Sequence, residues 1–119
     1  TRHIVNRQTL AWMKPTAYLI NTARGGMVDI DALAEALRQN KIAGAGIDVY
    51  GTEPPKPDYP LFGLRNAILT PHLAWYSEDS GNRIREIVLL EIDRALQGLP
   101  PRYIANSVKS VRRPVEVQK

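Results

Sequence analysis

Three short apolar runs constrain the fold of this 119-residue chain more than any other feature: Ala17-Tyr18-Leu19-Ile20, Gly44-Ala45-Gly46-Ile47-Asp48-Val49 and Ala67-Ile68-Leu69. Each is too short to be a helix of its own and is bounded by turn-forming or polar residues, the pattern of buried strands. Between the first two, Asp29 stands as an N-cap, and Ile30, Leu33, Ala34 and Leu37 follow at i, i+3, i+4 and i+7. A helix between two strands is the crossover that parallel pairing requires. The expected fold class is therefore α/β, with about three parallel strands and flanking helices. Three strands are few for a sheet covered on both faces, so the chain reads as part of something larger.

The remaining segments fit that layering. Asn6 or Thr9 starts a brief helix closed by Lys14-Pro15, from which Trp12 is expected to cover the core. Pro54, Pro55, Pro57 and Pro60 exclude regular structure after the second strand, and Asp58-Tyr59-Pro60-Leu61 is expected to anchor that loop. Ser77 caps the longest helix, with Glu78 and Asp79 in its first turn and Gly98 with Pro100-Pro101 at its end. Ile84, Ile87, Val88, Ile92, Ala95 and Leu96 share one face of it, while Leu89 and Leu90 lie off that stripe.

Composition narrows the function classes. A 44% hydrophobic and 24% charged chain is an ordinary globular one, and its apolar runs are too short to span a bilayer. The start, Thr1-Arg2-His3-Ile4-Val5, has no apolar signal core, and the absence of cysteine excludes disulfides and thiolate chemistry. A cytoplasmic location and no membrane partner are expected. The net charge of +4 would invite a nucleic-acid reading, but Lys109, Arg112, Arg113 and Lys119 against Glu116 place +3 of it in residues 107–119. That segment, with Pro114 and no helical period, is expected to be a basic, flexible tail, which argues against nucleic acid as a partner.

Each strand-like run precedes a polar residue: Arg24, Glu53 and His72. Parallel sheets carry their chemistry at the carboxyl ends of strands, so a cation, a carboxylate and an imidazole would gather along one rim. Reduction of a 2-oxo acid needs such a set. Arginine binds a carboxylate with a bidentate fork, histidine donates a proton near neutrality, and an adjacent carboxylate orients the imidazole. Taken singly, each residue also has an ordinary reading. Arg24-Gly25-Gly26 can be a strand-to-helix turn using glycine backbone angles, His72 a satisfied histidine at a strand end, and Glu53 a solvated loop residue. Asp48 is harder to dismiss, because a carboxylate inside an apolar strand requires partners. No metal-ligand constellation is present in the pattern.

In combination the residues resemble a known family. Leu19-Ile20-Asn21-Thr22-Ala23-Arg24-Gly25-Gly26-Met27-Val28-Asp29, Ala43-Gly44-Ala45-Gly46-Ile47-Asp48-Val49-Tyr50, Glu53-Pro54 and Leu69-Thr70-Pro71-His72 are similar, in order and spacing, to the D-isomer-specific 2-hydroxyacid dehydrogenases. The resemblance runs from about Thr1 to Asn106. It implies the carboxyl-terminal half of a Rossmann-type doubly wound sheet, with residues 1–106 a partial NAD-binding domain that includes the closing helix. It further implies that Arg24 binds the substrate carboxylate and polarises the carbonyl, that His72 is the general acid in reduction and base in oxidation, and that Glu53 tunes His72. Asp48 would contact the nicotinamide end of NAD or NADP, with Thr22 and Ala23 lining the same side. The stretch Ala74-Trp75-Tyr76-Ser77 resembles the variant in phosphoglycerate dehydrogenase-like enzymes and C-terminal binding protein corepressors, which places Trp75 near the substrate.

A complete member of the family carries a substrate domain and a GxGxxG phosphate turn before the point where this sequence begins. The glycines here, Gly25-Gly26 and Gly44/Gly46, do not form that motif. The expectation is an NAD(P)-dependent oxidoreductase portion acting on a small 2-oxo or 2-hydroxy acid, inactive by itself and paired with a complementary amino-terminal half or self-associated. The alternative is a non-catalytic binding or scaffold module derived from the same family.

Overall fold

The computed structural model describes residues 1–104, so the tail expected over 107–119 lies outside the described residues. Two compact units divide between Trp75 and Tyr76. The first contains α1 (Arg7–Ala11), β1 (Tyr18–Asn21), a 3-10 turn (Gly25–Met27), α2 (Ile30–Arg38), β2 (Gly44–Ile47) and β3 (Ala67–Leu69). The second contains α3 (Glu78–Leu96).

Local chemistry sets the ends of these elements. The Asn6 side chain accepts from the Gln8 and Thr9 amides while the Thr9 hydroxyl accepts from the Asn6 amide, a reciprocal cap that starts α1. Asp29 accepts from the Ala32 amide and opens α2. In the second unit Ser77 and Ser80 cap α3 reciprocally, at 3.0 and 2.7 Å. Gly98, at φ +70°, terminates that helix in the left-handed conformation that suits glycine.

The sheet is parallel, in the order β1-β2-β3, with Tyr18 opposite Gly44, Ile20 opposite Gly46, and Gly46 opposite Ile68. The β1–β2 crossover carries α2, as the spacing of Ile30, Leu33, Ala34 and Leu37 predicts. Leu10 of α1, Leu33 and Leu37 of α2, and Ile42, Ile47 and Leu61 form the buried core against one sheet face. Tyr18, Ile20 and Ile68 lie on the other face and are exposed. The second strand ends at Ile47, two residues before its apolar run does, while the third ends with its run at Leu69. The chain turns there into the loops that carry the polar residues.

Trp12 corrects one expectation. It stands at the end of α1 with 73% of its surface exposed, because Leu10 of this one-turn helix and Met13, just beyond it, take the core-facing positions. The apolar face of α3 is likewise exposed: Ile84, Val88, Ile92 and Leu96, and also Leu89 and Leu90.

The proline-rich loop is anchored by Leu61, which is buried, and by Tyr59, whose ring meets Tyr50 and Phe62 edge-on at 5.3 and 5.5 Å. The Tyr59 hydroxyl is buried without a hydrogen-bond partner among the described residues, and burial pushes its pKa up to about 12. An unsatisfied buried hydroxyl opposes folding. Tyr59→Phe is therefore expected to stabilise the chain by about 1 kcal/mol, read as a rise in melting temperature of several degrees.

Candidate active site

The carboxyl ends of all three strands open into loops, Thr22–Arg24 after β1, the long proline-rich connection beginning with Asp48–Glu53 after β2, and Thr70–Trp75 after β3. The structure brings Glu53 and His72 together: the Glu53 Oε2 lies 2.7 Å from His72 Nδ1. The other Glu53 oxygen accepts from the Tyr50 amide at 2.9 Å. That backbone hydrogen bond first, and the contact with His72 second, hold the Glu53 carboxyl below the usual glutamate range. An ionised carboxylate only accepts, so His72 Nδ1 carries the proton and Nε2 remains as the nitrogen that can exchange one. Arg24 is near enough to contribute to the lowering of Glu53, and its Nη1 donates to the Ala23 carbonyl at 2.7 Å.

Arg24, Gly26, Tyr50 and Gly51 line a cleft of about 700 Å³ together with His3 and Asp29. Glu53 and His72 do not line it, so the cleft marks the Arg24 side of the site only. Thr22 and Ala23 are exposed at the end of β1. Trp75 is exposed as well, and its indole Nε1 donates to the His72 carbonyl at 2.9 Å.

Asp48 finds the partners that a buried carboxylate needs. It is 3% exposed; Oδ1 accepts from the Thr70 hydroxyl and the Leu73 amide (2.9 Å), and Oδ2 accepts from the Ala74 amide at 3.0 Å. The Thr70 bond, followed by the Ala74 and Leu73 amides, keeps its carboxyl below the ordinary aspartate range. Asp48 thus clamps the loop on which His72 sits. His72 itself has φ +56°, a left-handed conformation that costs an L-residue with a Cβ on the order of 1 kcal/mol. The bonds on either side of it hold the backbone there.

Three residues without an expected role complete the arrangement. The buried Asn21 side chain ties the Ala23 amide and the Arg24 carbonyl. Tyr50 donates its hydroxyl to the Thr70 carbonyl at 2.8 Å. Thr70 joins that carbonyl to the Asp48 clamp through its own hydroxyl. The signal for Asn21 is the same as for Asp48: a polar residue closing an apolar run.

Three lowered carboxylates predict a pH dependence of stability: Asp48, Glu53, and Glu35, which pairs with Arg7. A carboxyl with a folded pKa below its unfolded one contributes fully above the unfolded value and loses that contribution as pH falls through the folded value. The ordinary values are 3.8 for aspartate and 4.5 for glutamate. The urea midpoint is expected to hold from pH 7 to about 5 and to fall at lower pH. Asp48→Asn should start lower and give a shallower acid limb.

A half-sheet of parallel strands with an imidazole–carboxylate pair and an arginine on loops at its carboxyl rim defines a class, the nucleotide-binding α/β domains of oxidoreductases. Residues 1–74 match the D-isomer specific 2-hydroxyacid dehydrogenase family in its NAD binding domain, and the chain belongs to that family. It is 42% identical over 113 residues to the glyoxylate reductase of Thermofilum pendens, covering 94% of this chain and 33% of that protein. It is 39% identical over 100 residues to the hydroxypyruvate reductase of Blautia hydrogenotrophica, covering 84% and 31% respectively. Among solved structures, the NADPH-dependent glyoxylate/hydroxypyruvate reductase of Sinorhizobium meliloti superposes with a TM-score of 0.78 at 34% identity, covering 87% of this chain and 33% of that one. The chain spans about a third of the length of these relatives. The α/β half-sheet expected from the three apolar runs is the observed fold. No helix among the described residues is long and apolar enough to cross a membrane.

Proposed function

We propose that this chain supplies the proton-transfer and carboxylate-binding part of an NAD(P)-dependent D-2-hydroxyacid dehydrogenase that reduces a small 2-oxo acid of the glyoxylate or hydroxypyruvate kind. The observation that carries the reading is the His72 Nδ1–Glu53 contact at 2.7 Å, on the same strand-end rim as Arg24. NADH or NADPH would supply the hydride and leave as NAD+ or NADP+. Its nicotinamide end fits at the exposed Thr22–Ala23 backbone beside Asp48, because dinucleotides lie across the carboxyl ends of such strands.

Within this reading Arg24 grips the substrate carboxylate with its planar fork and polarises the neighbouring carbonyl. His72 Nε2 gives a proton to the carbonyl oxygen as hydride reaches the carbonyl carbon, so the product is the 2-hydroxy acid; in the reverse direction it removes the hydroxyl proton. Glu53 holds the ring in the tautomer this needs and stabilises the charged imidazole before transfer. Asp48 keeps the His72 loop in place, and Trp75 borders the substrate. Residues 1–106 form part of the NAD-binding domain, completed by an amino-terminal segment or by self-association, in a cytoplasmic protein.

The test replaces the matching third of the Thermofilum pendens glyoxylate reductase with these 119 residues and follows NADH and NADPH oxidation with glyoxylate and hydroxypyruvate. Turnover is expected. A folded chimera that oxidises neither cofactor with any small 2-oxo acid overturns the reading.

A further inference from the structure

We infer that Asn21 is the positioning residue for Arg24: its carboxamide closes the turn that carries the arginine and sets that turn against the His72 loop. The inference rests on the reading that Arg24 takes the substrate carboxylate. Asn21 is the last residue of β1 and is 6% exposed, so both ends of its amide must find partners. Its Oδ1 accepts from the Ala23 amide at 3.1 Å and its Nδ2 donates to the Arg24 carbonyl at 3.0 Å. Only the oxygen can accept from an amide and only the NH₂ can donate to a carbonyl, so these two bonds also fix which way the amide points.

The Asn21 backbone makes the second connection. Its carbonyl accepts from the Asp48 amide at 3.0 Å, and Asp48 holds the Leu73 and Ala74 amides next to His72. One residue therefore relates the loop of the carboxylate-binding cation to the loop of the proton donor. Arg24 is exposed and its side chain bonds only back to the Ala23 carbonyl of its own turn among the hydrogen bonds described, so that turn, tied to the sheet by Asn21, sets where the guanidinium can reach. A bidentate fork gains its specificity from orientation, and a displacement of about 1 Å in a site of this kind can cost on the order of 100-fold.

The side chains closest to asparagine in size or chemistry fail this demand. Aspartate keeps the acceptor for Ala23 but turns an oxygen toward the Arg24 carbonyl. Alanine keeps neither bond, and glutamine is one carbon too long for the turn. The two bonds can thus be removed in order, with Asn21→Asp losing one and Asn21→Ala both.

The experiment has two arms. In the 119-residue chain, amide hydrogen exchange is read at Ala23, which lies outside every strand and helix. Protection is expected in the wild type, retained in Asn21→Asp and lost in Asn21→Ala. In the chimera, Asn21→Asp is expected to raise the KM for glyoxylate roughly 10- to 100-fold while leaving the KM for NADPH unchanged. A merely structural role would lower the active fraction and move neither KM. An unprotected Ala23 amide in the wild type overturns the inference whether or not the variants fold. A glyoxylate KM unchanged in Asn21→Asp overturns it as well. If the chimera has no turnover at all, the functional reading fails instead, and the exchange arm alone decides whether Asn21 holds the turn.

Discussion

Replacing His72 with asparagine is expected to lower glyoxylate reduction in the chimera by roughly 10²–10⁴-fold, the usual worth of a positioned general acid. Asparagine is the informative choice because it tolerates a left-handed backbone, and His72 sits at φ +56°. Alanine would remove the imidazole and also place a residue that disfavours that conformation, so a loss of activity would mix two causes. With asparagine the fold should survive, and a melting curve close to that of the wild type checks this. Glu53→Gln should cost less than His72→Asn. The Tyr50 amide keeps an acceptor in glutamine, whereas the negative charge facing Nδ1 is lost. A folded His72→Asn chimera that retains more than about a tenth of wild-type kcat would remove His72 from the chemistry.

The second large effect concerns two adjacent glycines that the sequence does not distinguish. A Cβ built on Gly25 would lie 2.1 Å from the Tyr50 carbonyl carbon and 2.4 Å from the Gly51 amide nitrogen. Both are backbone atoms in the loop leading to Glu53, and neither can yield as a flexible side chain does. Gly25→Ala is expected to destabilise the chain by about 3 kcal/mol and to separate the Arg24 loop from the Tyr50–Glu53 loop. A Cβ on Gly26 meets nothing within 4 Å, and its backbone is not left-handed. Gly26→Ala should therefore be neutral or stabilise by about 0.5 kcal/mol, through the reduced freedom of the unfolded chain. Paired urea titrations check both, and equal effects at the two positions would contradict the close approach at Gly25.

This contrast corrects the simplest reading of Arg24-Gly25-Gly26. That reading assigns both glycines to unusual backbone angles, yet neither has a positive φ; the described left-handed glycines are Gly63 and Gly98. Gly25 is required by the proximity of another segment, which no local pattern reveals.

The sequence by itself determined the features that arise from interactions across a few residues. Asn6, Asp29 and Ser77 cap their helices because a side-chain oxygen reaches amides two or three positions ahead. The spacing of Ile30, Leu33, Ala34 and Leu37 makes one apolar face on α2, and the runs before Arg24, Glu53 and His72 make strands whose ends lead to polar groups. Arg24, Glu53 and His72 could be placed along one rim because strand direction and connectivity alone bring parallel strand ends together.

Tertiary structure decided how those groups meet. Asp48 grips the Leu73 and Ala74 amides 25 and 26 residues away, and Glu53 reaches His72 across 19. Gly25 abuts Tyr50, and Trp12 turns outward because Leu10 and Met13 take the core-facing positions. Each outcome depends on the register of β1, β2 and β3 and on the volumes packed beneath them. A hydrogen bond or clash between loops exists only once that register has brought two distant backbones within about 3 Å of each other.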